Sequence, residues 1–325
     1  MAQLKLVSKI KRIDFSSNSW LDEVQEEAIN LANNSTETFL EKYENHADTS
    51  GGRYICSDTF KELFPSFTKI EDRALVNDAI HNASAVLAAT QFEEVLKRNE
   101  PNKTEAVFIT GIPGAGKTTY IKDLMSNNDK VKLIFEGQLA NPTPTIPKIE
   151  QCLAKGLNVT IAVIHIDPEK ALENTFKRFN EYGRGGSIEV MSNIQGNLPN
   201  GLKKLKEHFG DKIKIIAINR NNSNKILQNE TEIEKLINIG SKDEIFKRLK
   251  TKLNKDYEVG QISQDCFNQA NKTNLTNIML NQTKSNEITQ DEMRAIKKEV
   301  NRVGQKVLNS KDNIKNSKII DKELS

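Results

Sequence analysis

Apolar residues along this chain fall into short continuous runs, separated by segments in which they recur every three or four positions. The runs at 106–109, 131–135, 159–166 and 213–218 predict strands, and the longest of them is typical of a strand buried on both faces. The intervening segments predict helices, the last of them over about 202–209. Strands that alternate with helices indicate an α/β protein of three layers with a mostly parallel sheet.

The two ends of the chain differ from this central part. Residues 1–50 predict one amphipathic helix, which two glycines end before a short strand at 54–56. A long helix is predicted over 71–97, whereas the prolines between 142 and 147 predict an ordered loop. Beyond residue 221 polar residues dominate, and narrow apolar stripes there predict helices.

This pattern predicts a division of the chain into four parts. We expect an N-terminal helical extension (1–50), a central P-loop kinase-like domain (51–221), a C-terminal helical region (222–308) and a disordered tail (309–325).

Composition excludes several classes of protein. The formal net charge is only +3, which gives no reason to expect nucleic-acid binding. The three cysteines, Cys56, Cys152 and Cys266, lack the spacing of a zinc site or a disulfide framework, and a reducing compartment fits them best. No run of about 18 apolar residues and no secretory leader is found. We therefore expect a cytoplasmic protein without a membrane span, although export without a leader would leave no such trace.

One octet fills every fixed position of the phosphate-binding loop G-x-x-x-x-G-K-[ST]. A strand is predicted before it and a helix after it, which is the setting that this loop requires. We predict that nucleotide phosphates bind to nine consecutive residues: Gly111, Ile112, Pro113, Gly114, Ala115, Gly116, Lys117, Thr118 and Thr119.

The residue types in this octet suit the binding of ATP with Mg²⁺. Its glycines let successive backbone N–H groups point at phosphate oxygens, and the helix N-terminus adds roughly half a positive charge. Lys117 is expected to reach the β- and γ-phosphates, and the Thr118 hydroxyl to complete the coordination of Mg²⁺. ATP and Mg²⁺ are therefore the expected cofactors.

Three further segments extend the pattern beyond the loop. Residues 58–65 read D-T-F-K-E-L-F-P, a predicted strand ends in Glu-Gly at 136–137, and the segment 178–186 carries two arginines beside glycines. Together with the phosphate loop, these segments resemble the zeta-toxin group of P-loop kinases over about residues 50–220.

The resemblance implies roles for particular side chains. Asp58 would act as the base on an acceptor hydroxyl, and Arg178 and Arg184 would belong to a lid above the phosphates. The order of the segments departs from the family, because there the aspartate segment follows the phosphate loop, whereas here it precedes it. A parallel sheet permits such a permutation, since each strand needs particular neighbours rather than a particular place in the chain.

Each candidate side chain also has a structural interpretation. Asp58 is either the base or an N-cap of the following helix, and the two roles are compatible. Glu136 either holds a Mg²⁺-bound water or a substrate hydroxyl, or is a surface carboxylate. Arg184 and Arg178 are either phosphate contacts or solvated charges, and His81 is either a substrate contact or a structural histidine.

The main hypothesis is an ATP- and Mg²⁺-dependent phosphotransferase that phosphorylates a hydroxyl of a small metabolite. The resemblance implies that this metabolite is a nucleotide sugar and that the protein acts as a toxin or effector. There are two alternatives. One is a polynucleotide kinase, and the other is a nucleotide-binding interaction or plasmid-transfer accessory protein without kinase turnover. The C-terminal helices leave room for a protein partner.

Overall fold

Five parallel strands and one antiparallel edge strand form a sheet in the computed structural model, which describes residues 4–271. The order of the strands across the sheet is β1-β3-β2-β4-β5-β6. In chain order the strands are β1 (Tyr54–Ile55), β2 (Glu105–Thr110), β3 (Val131–Glu136), β4 (Asn158–His165), β5 (Ile213–Asn219) and β6 (Lys225–Leu227).

Helices connect these strands and extend the fold at both ends. They are α1 (Ser19–Asn34), α2 (Thr36–Glu44), α3 (Ser57–Lys61), α4 (Arg73–Lys97), α5 (Lys117–Asn127), α6 (Ile146–Ala154), α7 (Pro168–Tyr182), α8 (Ile188–Phe209), α9 (Glu230–Ile237), α10 (Lys242–Glu258) and α11 (Gln264–Ala270). Within residues 4–271, none combines the length and the apolar character that crossing a bilayer requires.

The core lies on both faces of the sheet. Along β2, Ala106 and Phe108 belong to one apolar cluster, while Val107 and Ile109 belong to the other, as the alternation of side chains in a strand requires. Helices α1–α4, α6 and α9 contribute to the first cluster, α5, α7, α10 and α11 to the second, and α8 to both. The predicted three-layer α/β fold with a mostly parallel sheet is confirmed.

The prediction of a single helix over 1–50 is wrong. Two helices stand there, and residues 4–18 before them hold no helix. Ser35 separates the two helices, and its backbone angles, φ −131° and ψ 29°, are not helical. The apolar stripe of α1 ends at this point, and Asn and Ser side chains compete with helical hydrogen bonds. The predicted domain boundaries stay predictions, and the predicted tail over 309–325 lies outside the described residues.

Two further boundaries differ from the prediction because packing overrides local signals. Helix α8 begins at Ile188 rather than near residue 202, and it continues through Pro199 because a buried apolar stripe runs along its whole length. Helix α6 begins at Ile146, so Pro147 lies in its first turn, where a missing N–H has no helical partner to lose. Strand β6 was not predicted, because three residues carry no recognisable period.

Strand β1 precedes a candidate catalytic residue, and ionic contacts anchor it to its neighbours. The guanidinium of Arg53 pairs with the carboxylate of Glu100, and its Nη1 donates to the carbonyl oxygen of Lys132 at 3.1 Å. The buried Nζ of Lys132 lies 2.9 Å from Oε2 of Glu100. These contacts hold β1 beside β3, at the edge of the sheet.

We expect Glu100→Gln to lower the free energy of unfolding by about 1–3 kcal/mol at pH 7, because the buried ammonium of Lys132 loses its counter-ion. Hydrogen bonds from Arg53 and Lys132 lower the pKa of Glu100 from 4.5 to about 2. The carboxylate therefore contributes full stability above about pH 4.5, and this contribution is lost as the pH falls towards 2. Urea unfolding measures the free energy of unfolding between pH 7 and pH 2.5. The contribution of the Glu100 carboxylate should disappear as the pH falls in the wild type, and no such loss should occur in the variant. Glu37→Gln, at an exposed site on α2, is the control, and an equal loss in both variants would contradict the expectation.

Candidate functional site

The carboxyl ends of the five parallel strands meet at one edge of the sheet, which is where open α/β sheets bind ligands. The segment after β1 carries Asp58, β3 ends in Glu136, and the phosphate loop follows β2. Arg220 directly follows β5. The parallel topology therefore brings the sequence candidates to the same edge.

The phosphate loop packs closely against helix α7. Gly114 has a φ of +81°, and a Cβ placed on it would lie 2.2 Å from the carbonyl oxygen of Ala171, so the position excludes any side chain. Nδ2 of Asn174 donates to the carbonyl oxygen of Gly114 at 2.9 Å. Buried Ile112 and Ala115 anchor the loop to the core. This leaves a tight backbone cradle of the kind that accommodates phosphate oxygens.

Lys117 is the first residue of α5, directly after the N-cap Gly116. Its Nζ donates to the carbonyl oxygens of Gly111 at 2.8 Å and Ile112 at 3.1 Å. It also lies 3.5 Å from Oε1 of Glu136. The ammonium is thus held above the loop by neutral acceptors and by one carboxylate, and it has short contacts to exchange for phosphate oxygens.

Glu136 ends strand β3 and faces the loop from its neighbouring strand. Oε2 accepts a hydrogen bond of 2.5 Å from the hydroxyl of Tyr54, while Oε1 faces Lys117. Thr118 and Thr119 are exposed in the first turn of α5. An exposed Thr118 hydroxyl and one carboxylate fit Mg²⁺, which keeps several waters and shares phosphate oxygens. Among the described residues no three His, Cys, Asp or Glu side chains form a metal site, and the metal roles of Thr118 and Glu136 stay predictions.

Asp58 lies in the first turn of α3 rather than at the end of a strand. The N-cap of this helix is Cys56, so the interpretation of Asp58 as its N-cap is wrong. Instead, Oδ1 lies 3.0 Å from Nζ of Lys61, and Oδ2 lies 3.9 Å from both Arg178 and Arg184. The fold thus brings Asp58 together with both lid arginines, which are far from it in sequence.

The charges around Asp58 set its ionisation. Restricted access of water raises the pKa of its carboxyl, but the charges of Lys61, Arg184 and Arg178 outweigh this and hold the pKa well below its usual range. Asp58 is therefore a carboxylate throughout the physiological range. Such a group accepts a hydrogen bond from a hydroxyl and orients it, and it is a weak base towards a free proton.

The loop that carries Arg184, residues 183–187 between α7 and α8, packs against two other parts of the site. A Cβ on Gly183 would lie 1.9 Å from the carbonyl oxygen of Ile70, and one on Gly186 would lie 3.0 Å from Cβ of Pro113 in the phosphate loop. Arg184 places its Nη2 2.9 Å from Oε1 of Glu62. The lid loop is therefore seated over the phosphate loop.

His81 lies on α4 with an exposed side chain, near Lys61 and Asp58. Partial desolvation and the ammonium of Lys61 lower the pKa of its imidazole, so the ring is neutral at pH 7. A neutral imidazole at the rim of the site is compatible with a substrate contact, and this role stays a prediction.

Three contributors were missed from the sequence: Lys61, Glu62 and Arg220. Lys61 follows Asp58 by three positions, and on a helix such residues are neighbours, so this ion pair could have been predicted once α3 was recognised. Arg220 directly follows a predicted strand, which places it at the ligand-binding edge. Glu62 is paired with Arg184, distant in sequence, and no local signal marks it.

Comparison with known proteins adds a family to this geometry. Residues 126–232 match the family model described as zeta toxin. Over this range the chain is similar to zeta toxins. The matched range contains Glu136, Arg178 and Arg184, whereas Asp58 and Lys117 precede it. The phosphate loop and the aspartate segment therefore lie N-terminal to the range that matches this family model.

A search of solved structures also gives a partial match. It comes from a study of the PezAT chromosomal toxin–antitoxin system of Streptococcus pneumoniae, and it is 17% identical, with a TM-score of 0.35. The match covers 51% of this chain and 96% of that one. No curated protein matches this sequence.

Proposed function

We propose that this protein is an ATP- and Mg²⁺-dependent phosphotransferase that transfers the γ-phosphate of ATP to a hydroxyl of a small metabolite. The observation that carries the proposal is the contact of the Asp58 carboxylate with Arg178 and Arg184, at the sheet edge that also holds the phosphate loop. Phosphoryl transfer requires positive charge around the transferred group and a carboxylate for the acceptor hydroxyl.

The phosphate loop supplies the nucleotide site. Backbone N–H groups of residues 114–118 and the N-terminus of α5 would hold the phosphates, and Lys117 would exchange its carbonyl acceptors for β- and γ-phosphate oxygens. The Thr118 hydroxyl would hold Mg²⁺, with Glu136 binding one of its waters. Mg²⁺ would supply positive charge that offsets the negative charge of the phosphates.

Asp58, Arg178 and Arg184 supply the acceptor side. Asp58 accepts the hydrogen bond of the acceptor hydroxyl and aims its oxygen at the γ-phosphorus. As the new oxygen–phosphorus bond forms and the bond to the β-phosphate oxygen breaks, the proton leaves the hydroxyl through Asp58 to solvent. The arginines stabilise negative charge on the transferred group. In a loose transition state the carboxylate acts mainly by orientation, which agrees with its low pKa.

The charge around Asp58 favours an anionic acceptor. Three cations, Lys61, Arg178 and Arg184, surround two carboxylates, those of Asp58 and Glu62. A nucleotide sugar, as the family resemblance implies, offers hydroxyls for transfer and a diphosphate for the surplus positive charge. A role as a toxin or effector, with a protein partner at the C-terminal helices, is proposed on the family match alone.

The test is transfer of label from ATP labelled in its γ-phosphate. Purified full-length protein is incubated with this ATP, Mg²⁺ and a metabolite extract, and labelled products are separated and identified. We expect label in an organic phosphate whose formation requires the extract.

Other outcomes would replace the proposal. Label on the ends of added oligonucleotides, with steep salt dependence, would identify a polynucleotide kinase. Bound nucleotide without any transfer of label would identify a nucleotide-binding accessory protein.

A further inference from the structure

Arg220 lies at the same edge of the sheet as the phosphate loop, on the side opposite Asp58. It directly follows β5, and its backbone N–H donates to the carbonyl oxygen of His165 at 2.8 Å, which fixes its position against β4. In the order β1-β3-β2-β4-β5, strand β2 enters the phosphate loop. Strand β1, before Asp58, lies two positions to one side of it, and β5, before Arg220, lies two positions to the other side.

The guanidinium of Arg220 packs against Gly116, the N-cap of α5. A Cβ on Gly116 would lie 3.2 Å from Nη2 and 3.3 Å from both Cζ and Nε of Arg220. Three bonded atoms at nearly equal distance mean that the guanidinium presents a flat side to this glycine. Its N–H groups lie in the plane of the group and therefore do not point at the glycine itself.

This contact is electrostatically unfavourable without an anion. The N-terminus of α5 carries partial positive charge, and Lys117 adds a full one directly after Gly116. Among residues 4–271 the Arg220 guanidinium has no carboxylate within ion-pair distance and no hydrogen-bond acceptor, although it is half-buried. None of its nitrogens is a buried atom without a partner, so water reaches these donors and an incoming acceptor can replace that water. Phosphate oxygens at this position would satisfy the donors and offset the repulsion.

We propose that Arg220 binds the α- and β-phosphates of the nucleotide and so holds the diphosphate that leaves in phosphoryl transfer. This inference rests on the proposed nucleotide site. Asp58 marks the side of the loop on which the acceptor and the γ-phosphate meet. Arg220 lies on the other side and contacts the phosphates that remain with the nucleoside. Its flat contact with Gly116 leaves two N–H groups for bidentate binding, which a lysine does not reproduce.

The test is binding of ADP, ATP and inorganic tripolyphosphate to full-length Arg220→Met, Arg220→Lys and the wild type, measured by calorimetry. We expect Arg220→Met to weaken all three ligands by a similar factor, about 10- to 100-fold, because charge-assisted hydrogen bonds are lost. Arg220→Lys should recover part of this loss. Lys225→Met is the control: this exposed residue on β6 removes the same charge nearby and should change binding less than about threefold.

Three results would overturn the inference. Unchanged ADP affinity in Arg220→Met would show that the guanidinium does not touch the phosphates. Weakened ADP with unchanged tripolyphosphate would place it on the base or ribose instead. An equal loss of affinity in Lys225→Met would mean that the effect comes from the loss of one positive charge and not from a contact of Arg220. Circular dichroism verifies folding, and Arg220→Lys provides the measurement if Arg220→Met is unfolded. Absence of nucleotide binding in the wild type would instead contradict the proposed function.

Discussion

Asp58→Asn should lower the turnover of phosphoryl transfer by about 10²- to 10⁴-fold, the range over which a positioned acid–base group contributes. The amide keeps the size of the side chain, but it presents an N–H₂ group and a weaker acceptor to the hydroxyl. It also removes the negative charge that faces Lys61, Arg178 and Arg184. Initial rates with ATP and the identified acceptor measure the effect.

ATP binding should survive this change, because Asp58 touches neither the phosphate loop nor Lys117 through any contact among the described residues. We expect the dissociation constant for ATP to change by less than about threefold, or to fall, since the site becomes more positive. In the wild type, the low pKa keeps Asp58 ionised, which is the form that the proposed role requires. Turnover should therefore not decline between pH 8 and pH 5 through protonation of Asp58.

Asp123→Asn is the matched control, since it makes the same change at an exposed site on α5. Its turnover should equal that of the wild type. If Asp58→Asn retained full turnover, or lost ATP binding together with turnover, its role as the group that orients the acceptor hydroxyl would be wrong.

Lys117→Ala should weaken ATP binding and lower turnover. In the structure Nζ is held by the carbonyl oxygens of Gly111 and Ile112 and lies near Glu136, so it is positioned above the cradle for phosphates. Loss of its charge-assisted hydrogen bonds is expected to weaken ATP binding about 10- to 100-fold. Turnover should fall further, because the charge on the γ-phosphate grows in the transition state and loses its nearest cation.

Lys122→Ala is the control for this second change. Lys122 lies on the same helix, and its exposed Nζ is 3.0 Å from Oδ1 of Asp48. It should leave ATP affinity and turnover unchanged, since an exposed ion pair of this kind contributes little. Comparable ATP affinity in Lys117→Ala and the wild type, measured by calorimetry, would mean that the octet does not bind phosphate as proposed.

The comparison of the two changes separates the parts of the site. Asp58→Asn should affect kcat alone, whereas Lys117→Ala should affect both ATP affinity and kcat, because one residue acts on the acceptor and the other on the nucleotide. Loss of ATP binding in both variants would indicate a general disturbance of the sheet edge.

Local patterns were enough to predict the five parallel strands and the phosphate loop. The apolar run of β4 and the octet at 111–118 could be recognised from consecutive residues. A buried strand and a glycine loop depend on local backbone preferences and on burial. Helix α8 was only half predicted. Gly196, Pro199 and Gly201 weaken its helical signal, and packing against both faces of the core outweighs them.

The candidate site shows the same division. Asp58 and the arginines at 178 and 184 were recognised as motif residues, yet nothing local could bring each arginine to 3.9 Å from Asp58, or pair Arg184 with Glu62. The folded chain also replaced the proposed N-cap role of Asp58 by an ion pair with Lys61.

The sequence by itself thus predicted the five parallel strands, several of the helices and the phosphate loop, and it named candidate side chains for the chemistry. It left open their partners and their ionisation. The packing of β1 beside β3 and of the lid loop against Pro113 settled these, since Coulomb interactions and desolvation depend on distance in space, and not on separation along the chain.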